Sequence, residues 1–235
     1  AVTLMLNFVS RSVFIQYLGI EFLGINGLFQ NVIMILSLAD LGFGTAMAYS
    51  YYKPIADNDT EKIIELNCFY KKIYRCIAAG IFIVGIALVP FLKYIVNTEA
   101  EIEHLNIYFF LTLLTTVSSY FMVYKSTLLN AYQMNYVVSK YNSIITFFIT
   151  VARIVFIVIT RNYIVYLIIG VLGNIINNIR VSMAADKYFP FIKENRALPE
   201  SEKKNIFNNI KSVFIYKISG VLINGTDNIL ISMLV

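Results

Sequence analysis

Long apolar runs alternate with short polar spans along the whole chain. Four runs contain no Asp, Glu, Lys or Arg, and three more contain a single charge, Arg11, Arg153 or Asp227. Most are about the 17 to 25 residues that a helix needs to cross a bilayer. The pattern predicts seven membrane-spanning helices, over Ala1 to Ile20, Phe22 to Ala39, Cys76 to Leu92, Leu105 to Tyr124, Tyr141 to Thr160, Asn162 to Ile179 and Ile218 to Val235.

The runs are continuous and do not alternate as the strands of a membrane barrel do. Hydrophobic residues make up 58% of the chain and the mean hydropathy is +0.70, above the values of soluble domains. We therefore predict an all-α, polytopic transmembrane helical bundle. The chain begins without Met and ends inside an apolar run, so we expect a longer protein: a six-helix N-terminal lobe (1–185), a cytoplasmic linker with a short surface helix (186–211) and the first helix of a second lobe (212–235).

Lysine and arginine are unevenly divided between the spans that join these runs. One alternate set of spans carries nearly all of them, and the other offers only Lys93 and Arg161 beside the acidic Glu99, Glu101 and Glu103. Because Lys and Arg mark the cytoplasmic side, we expect the basic spans and the N-terminus inside the cell. The basic set comprises Lys53, Lys62, Lys71, Lys72, Arg75, Lys125, Lys140, Arg180, Lys187, Lys193, Arg196, Lys203, Lys204, Lys211 and Lys217.

Tyrosines gather near the predicted ends of the segments, where membrane proteins carry an interfacial aromatic belt. We interpret them as membrane anchors and not as ligand contacts. They are Tyr49, Tyr51, Tyr52, Tyr94, Tyr120, Tyr124 and Tyr163.

The composition disfavours several classes of function. The net charge of +5 is dispersed over spans beside the membrane ends, so we expect no nucleic-acid partner. Cys68 and Cys76 lie on one predicted helix about 12 Å apart, too far for a disulfide. His104 is the only histidine, and neither a metal-ligand cluster nor a nucleophile beside a base is found in the sequence. We therefore expect no metal site and no enzyme.

Charged residues inside the predicted membrane segments are the first candidates for function. A charge at the bilayer centre costs roughly 2.5 to 3.5 kcal/mol on insertion scales, and it usually marks a pathway or a pair. Arg11, Arg153 and Asp227 are flanked by apolar sequence, and Asp40 ends the second run near Gly42. The first three are either cavity residues or structural groups that pair between helices or reach an interface. Asp40 is either functional or a helix cap.

Uncharged polar residues form two stripes at helical spacing, one on the fourth segment and one on the sixth. Thr112 and Ser119 belong to the first stripe, and Asn174 and Asn177 belong to the second. Such residues either hydrogen-bond between helices or line a water-filled cavity. Together with the arginines, a cavity of this kind would suit an anionic or phosphorylated cargo.

Four stretches carry a resemblance to a known family. They run from Arg11 to Phe29, from Leu36 to Ala46 (LSLADLGFGTA), from Tyr49 to Asp57 and from Thr226 to Ser232. Their residue order resembles that of bacterial polysaccharide flippases, which belong to the superfamily of multidrug, oligosaccharidyl-lipid and polysaccharide exporters. The resemblance is specific in the first fifty-odd residues, and beyond them it lies in hydropathy and spacing.

The resemblance implies a multi-pass protein of the bacterial cytoplasmic membrane with two helical lobes that rock about a central cavity. The implied cargo is an undecaprenyl-pyrophosphate-linked oligosaccharide for surface polysaccharide synthesis. Membrane lipids and the polymerase and glycosyltransferase machinery are the other implied partners. No cofactor is expected, and coupling to protons or sodium stays open.

On this basis, Arg11 and Arg153 are predicted to bind pyrophosphate, and Thr112, Ser119, Asn174 and Asn177 to contact sugar hydroxyls. Asp227 and Asp40 are predicted to act in coupling or gating. The first and seventh segments also match in polarity, which would set Arg11 opposite Asp227 as a bridge between lobes. Two other functions stay open: a multidrug or cation antiporter of the same superfamily, and a membrane scaffold that docks through Glu200 to Lys204.

Overall fold

The computed structural model describes residues 2–37, 43–92, 103–211 and 213–215. These ranges form a helical bundle without a strand, which confirms the predicted all-α class. Two 3-10 turns, Val89–Phe91 and Pro190–Lys193, follow the fourth and eighth helices. The α-helices are α1 (Val2–Leu18), α2 (Ile20–Leu36), α3 (Phe43–Ala56), α4 (Thr60–Leu88), α5 (Leu105–Tyr120), α6 (Val123–Ala131), α7 (Asn135–Thr160), α8 (Tyr163–Tyr188) and α9 (200–211).

Local sequence explains several helix ends. Gly19 separates α1 from α2 with φ of 95° and ψ of 165°, a conformation that side chains disfavour. The Asp59 side chain accepts from the backbone N–H of Lys62 at 3.0 Å and caps α4. Asn162 caps α8 in the same way through Ile164, at 2.8 Å.

Three helices in the described ranges are long and apolar enough to cross a membrane: Thr60–Phe91, Asn135–Thr160 and Tyr163–Tyr188. The α5 and α6 pair, which bends by 44°, makes a fourth if it is counted as one span. The apolar α2 is shorter, at 17 residues. The third, fifth and sixth predicted segments thus lie in such helices, whereas the seventh falls outside the described residues.

Helix α4 begins well before the predicted membrane segment at Cys76. Its first half buries most of its side chains, among them Ile63, Leu66 and Tyr70, while its charged residues stay at least partly exposed. Packing of the apolar side chains keeps the chain helical although the segment carries these charges. The basic span expected between the second and third segments is therefore largely helix.

The packing centres on α8, which contacts α5, α6 and α7, while α1 packs on α7 and α4 packs on α3, α5 and α6. Ion pairs from Lys62 to Glu202 and from Arg196 to Glu61 join the start of α4 to the chain beyond α8. We call the end of the bundle where α4 begins and α8 ends the basic end. The end where α7 stops and α8 begins is the opposite end.

The expected linker is packed against this bundle. Ile192, Leu198 and Ile206 are buried, and the thiol of Cys68 on α4 lies 3.4 Å from the carbonyl oxygen of Glu194. Helix α8 continues past residue 185 and ends at Tyr188.

The interpretation of the tyrosines as interfacial anchors is wrong for the four that are buried: Tyr51, Tyr120, Tyr124 and Tyr163. These rings fill spaces between helices, which a pattern along one helix does not reveal. Tyr49 and Tyr52 are exposed, as anchors would be, and Tyr94 lies outside the described residues.

Candidate functional site

Arg153 lies on α7 and turns its side chain towards α8. Its Cζ atom is 4.3 Å from the centroid of the Tyr166 ring, a cation–π contact. Its Nε atom is buried and has no hydrogen-bond partner. No carboxylate of the described residues forms an ion pair with it. The guanidinium therefore keeps an unused donor and an uncompensated charge.

Glycine makes room for this guanidinium on α8. A Cβ atom at Gly170 would overlap Nη2 of Arg153, so any side chain there would displace it. One turn further along, a Cβ atom at Gly173 would overlap Ile149 of α7. The two glycines allow α7 and α8 to approach closely, as small residues do between membrane helices.

Aromatic rings surround the same region near the opposite end. The Tyr163 ring lies 4.9 Å from that of Tyr108 and 5.2 Å from that of Phe22, and the Phe14 ring lies 5.0 Å from that of Tyr166. We call Phe14, Phe22, Tyr108, Tyr163 and Tyr166 the aromatic cluster. Tyr166 joins this cluster to the guanidinium of Arg153 through the cation–π contact.

Arg11 is exposed on α1, one turn before Phe14 of the aromatic cluster. Tyr17 near the end of α1 contacts Arg161 just after α7, with 5.7 Å from the guanidinium carbon to the ring centroid. Earlier on α1, the Phe14 ring contacts Tyr166, which in turn contacts Arg153 earlier on α7. Because the later residue of α1 meets the later residue of α7, the two helices run in the same direction. Arg11 and Arg153 therefore lie at comparable depths, although no contact joins them.

Thr112 and Ser119 are engaged with their own helix. The Thr112 hydroxyl donates to the carbonyl of Tyr108 at 2.8 Å, and the Ser119 hydroxyl donates to that of Thr116 at 2.7 Å. Serine and threonine commonly bond the preceding turn in this way. In this arrangement, a sugar hydroxyl would have to use the remaining lone pairs of the two oxygens.

Asn174 and Asn177 join α8 to its neighbours. The amide of Asn174 donates to the carbonyl of Thr115 at 2.6 Å and to the hydroxyl of Ser118 at 2.9 Å. Asn178 donates to the Ser118 carbonyl at 3.2 Å, just before α5 bends into α6. Asn177 donates to Asn142 of α7 at 2.8 Å. These contacts are interhelical hydrogen bonds of the kind that membrane helices use.

The described site residues thus do not converge on one cavity: they lie at the α7–α8 contact, at the α5–α8 contact and on the exposed face of α1. Arg153 and Asn177 face the α7–α8 contact, Thr112 and Ser119 lie on α5, and Asn174 bridges α5 and α8. Asp40 and Asp227 lie outside the described residues, as does the predicted Arg11 to Asp227 bridge. The groups of His, Cys, Asp and Glu in the described part include none that could hold a metal ion.

Sequence reasoning missed two features of the bundle, one near each end. The aromatic cluster draws its rings from four helices, so no single helix shows a period for it. The ion pair of Lys125 with Asp186, with 2.7 Å between Nζ and Oδ1, links α6 to α8 at the basic end. Its two residues are far apart in sequence, and only the packing brings them together.

Comparison with protein-family models, curated proteins and solved structures finds no significant match to this chain. The resemblance to polysaccharide flippases therefore stays a prediction made from the sequence. The geometry around Arg153 is the basis on which a function can be argued.

Proposed function

We propose that the protein is a membrane transporter that moves an anionic, phosphate-bearing lipid-linked saccharide across the cytoplasmic membrane by alternating access. Arg153 binds the phosphate of the cargo. The observation that carries the proposal is a guanidinium in an apolar helix pair with a buried donor and no ion-pair partner in the described residues.

The position of Arg153 supports a ligand contact over a purely structural role. The residue precedes the end of α7 by about 10 Å at 1.5 Å per residue, and its guanidinium packs beside Gly170 inside the bundle. An arginine without a ligand would instead extend its guanidinium along the helix to the water interface. An arginine is also the preferred partner of phosphate because its donors match phosphate oxygens in pairs.

The sign of the charge distinguishes the proposal from the cation antiporter. A cavity for hydrophobic cations favours carboxylates, whereas the charged residue beside Tyr166 and Gly170 is an arginine. The scaffold alternative assigns function to Glu200 to Lys204. In the structure Glu202 is bound to Lys62, so part of that surface is already engaged inside the chain.

The test is leaflet translocation of an undecaprenyl-pyrophosphate oligosaccharide by the full-length protein in proteoliposomes. A hydrogen bond to a charged group is worth about 1.5 to 3 kcal/mol, so Arg153→Met should lower the rate about 10- to 150-fold. Arg153→Lys keeps the charge but loses the paired donors, and it should fall between wild type and Arg153→Met.

Arg161→Met is the matched control, because Arg161 also lies over a tyrosine ring but is exposed at the end of α7. It should transport at the wild-type rate. Wild-type transport by Arg153→Met with intact folding would overturn the proposal. If deletion of Glu200 to Lys204 then abolished polysaccharide synthesis, the scaffold function would replace the transporter function.

A further inference from the structure

A cationic cavity lies at the basic end, away from Arg153. Its volume is about 460 Å³, and α4, α6, the end of α8 and residues 192–195 enclose it. Five cationic side chains and two carboxylates line it, a net charge of +3. The cations are Lys71, Lys72, Arg75, Lys125 and Lys193.

The two carboxylates of this cavity are already engaged. Asp186 pairs with Lys125, and Glu194 lies 3.9 Å from the Nε atom of Arg196. The other four cations make no ion pair with the described residues. Asn67 also lines the cavity, is 2% exposed and has a side-chain oxygen without a partner. The cavity thus offers unpaired cations for an anion and one acceptor for a hydroxyl.

An apolar cavity of about 510 Å³ adjoins the cationic one. Cys68 and Lys72 of α4 line both, so the two lie side by side along this helix. Phe69, Ile73 and Ile77 form the apolar wall on α4, and Leu198 and Phe207 form it on the segment beyond α8. A ligand that fills both cavities has an anionic head and an apolar tail.

The level of the two cavities matches that of a lipid headgroup. Lys71, Lys72 and Arg75 occupy the turns of α4 directly before the charge-free run that begins at Cys76. The sequence predicts that this run begins the hydrocarbon core, which would put the phosphate layer just outside it. Basic pockets between membrane helices at this level bind anionic headgroups.

We propose that the two cavities together form a binding site for an anionic phospholipid. The headgroup phosphate lies among Lys71, Lys72, Arg75 and Lys193, Asn67 accepts from a headgroup hydroxyl, and an acyl chain lies along the apolar wall. The bound lipid joins α4 to the segment beyond α8. The site is separate from the cargo contact at Arg153 and does not depend on transport.

The test is native mass spectrometry of the full-length protein titrated with phosphatidylglycerol, and with phosphatidylcholine of the same acyl chains. Phosphatidylglycerol should bind more tightly. Each Lys or Arg near an anionic surface contributes about 1 kcal/mol, so Lys71→Gln with Arg75→Gln should weaken binding about thirtyfold. The charge-keeping pair Lys71→Arg with Arg75→Lys should bind like the wild type, which separates loss of charge from misfolding.

Lys204→Gln with Lys211→Gln is the matched control, because it removes two exposed cations of the same end that line neither cavity. It should bind phosphatidylglycerol like the wild type, as should Arg153→Met. Equal affinity for the two lipids would contradict the site. So would a loss of phosphatidylglycerol affinity in this control as large as that in Lys71→Gln with Arg75→Gln. Displacement of the lipid by millimolar inorganic phosphate or glycerol 3-phosphate would show a site for free anions and overturn the lipid proposal.

Discussion

The cationic side chains at the two ends of the bundle have different surroundings. At the basic end, Lys62 and Lys125 are paired with carboxylates, and four cations that make no ion pair with the described residues border a cavity. Near the opposite end, Arg153 lies between apolar helices with an aromatic ring and a glycine as neighbours.

This difference separates cations that are paired or exposed to solvent from a guanidinium with a donor buried between apolar helices. A cation in a solvent-exposed pair costs little and stabilises little, so many of them can lie at one end of the bundle. A cation inside the membrane without a partner costs several kcal/mol and is kept for a ligand or a pathway.

The strongest test couples Arg153 to Gly170. Gly170→Ala should displace the guanidinium and reduce transport nearly as much as Arg153→Met, about 10-fold or more. In the Arg153→Met background it should cause no further loss, because the two changes act on one contact. Translocation rates of the four proteins complete this double-mutant cycle.

Gly80→Ala is the control for this cycle, since a Cβ placed there would meet no side chain and no other helix of the described residues within 4 Å. It should leave transport unchanged. Additive losses from Gly170→Ala and Arg153→Met would show that the glycine does not act through the guanidinium.

Replacing Lys125 should affect stability more than transport. Lys125→Met leaves Asp186 half-buried without its partner and removes a hydrogen bond to Ser182, at a cost of about 1 to 3 kcal/mol. Lys125→Arg should retain most of the stability. Unfolding of the detergent-solubilised protein measures the change, and an unaltered stability in Lys125→Met would mean that this pair is dispensable.

Asn174 distinguishes a structural amide from a sugar contact. Asn174→Leu removes its two hydrogen bonds to α5 and should lower the free energy of unfolding by about 0.6 to 1.7 kcal/mol. Asn31→Leu, at an exposed position of α2, should lower it by less. A loss of transport in Asn174→Leu without a loss of stability would assign Asn174 to the cargo.

The smallest effect belongs to the exposed pair of Arg196 with Glu61. Their side chains are 41% and 72% exposed, so Arg196→Ala should change the free energy of unfolding by less than about 0.5 kcal/mol. A larger change in the same unfolding measurement would mean that the linker depends on this pair for its docking.

The sequence predicts the helices of this fold better than their contacts. Apolar runs locate α7 and α8 because a helix inside lipid must be apolar along its length. The charged first half of α4 is not predicted by the same reasoning, since it is stabilised by a cap at Asp59 and by burial of the apolar side chains between its charges.

The candidate site is predictable only in part. Arg153 stands out because a charge interrupts an apolar run, and Asn174 because it belongs to a polar stripe. The place of the guanidinium over Tyr166 depends on how α7 and α8 pack, and a pattern along one helix carries no such information. The cationic cavity combines residues of α4, α6, α8 and the linker, so only their packing reveals it.

If Arg153 binds the phosphate of a lipid cargo, as we propose, the protein should distinguish a charged polyprenyl lipid from an uncharged one. The most direct measurement is equilibrium binding of undecaprenyl pyrophosphate and of uncharged undecaprenol to the full-length protein and to Arg153→Met. The wild type should prefer the pyrophosphate by about 10-fold or more, and Arg153→Met should abolish this preference. An equal preference in both proteins, or none in the wild type, would contradict it.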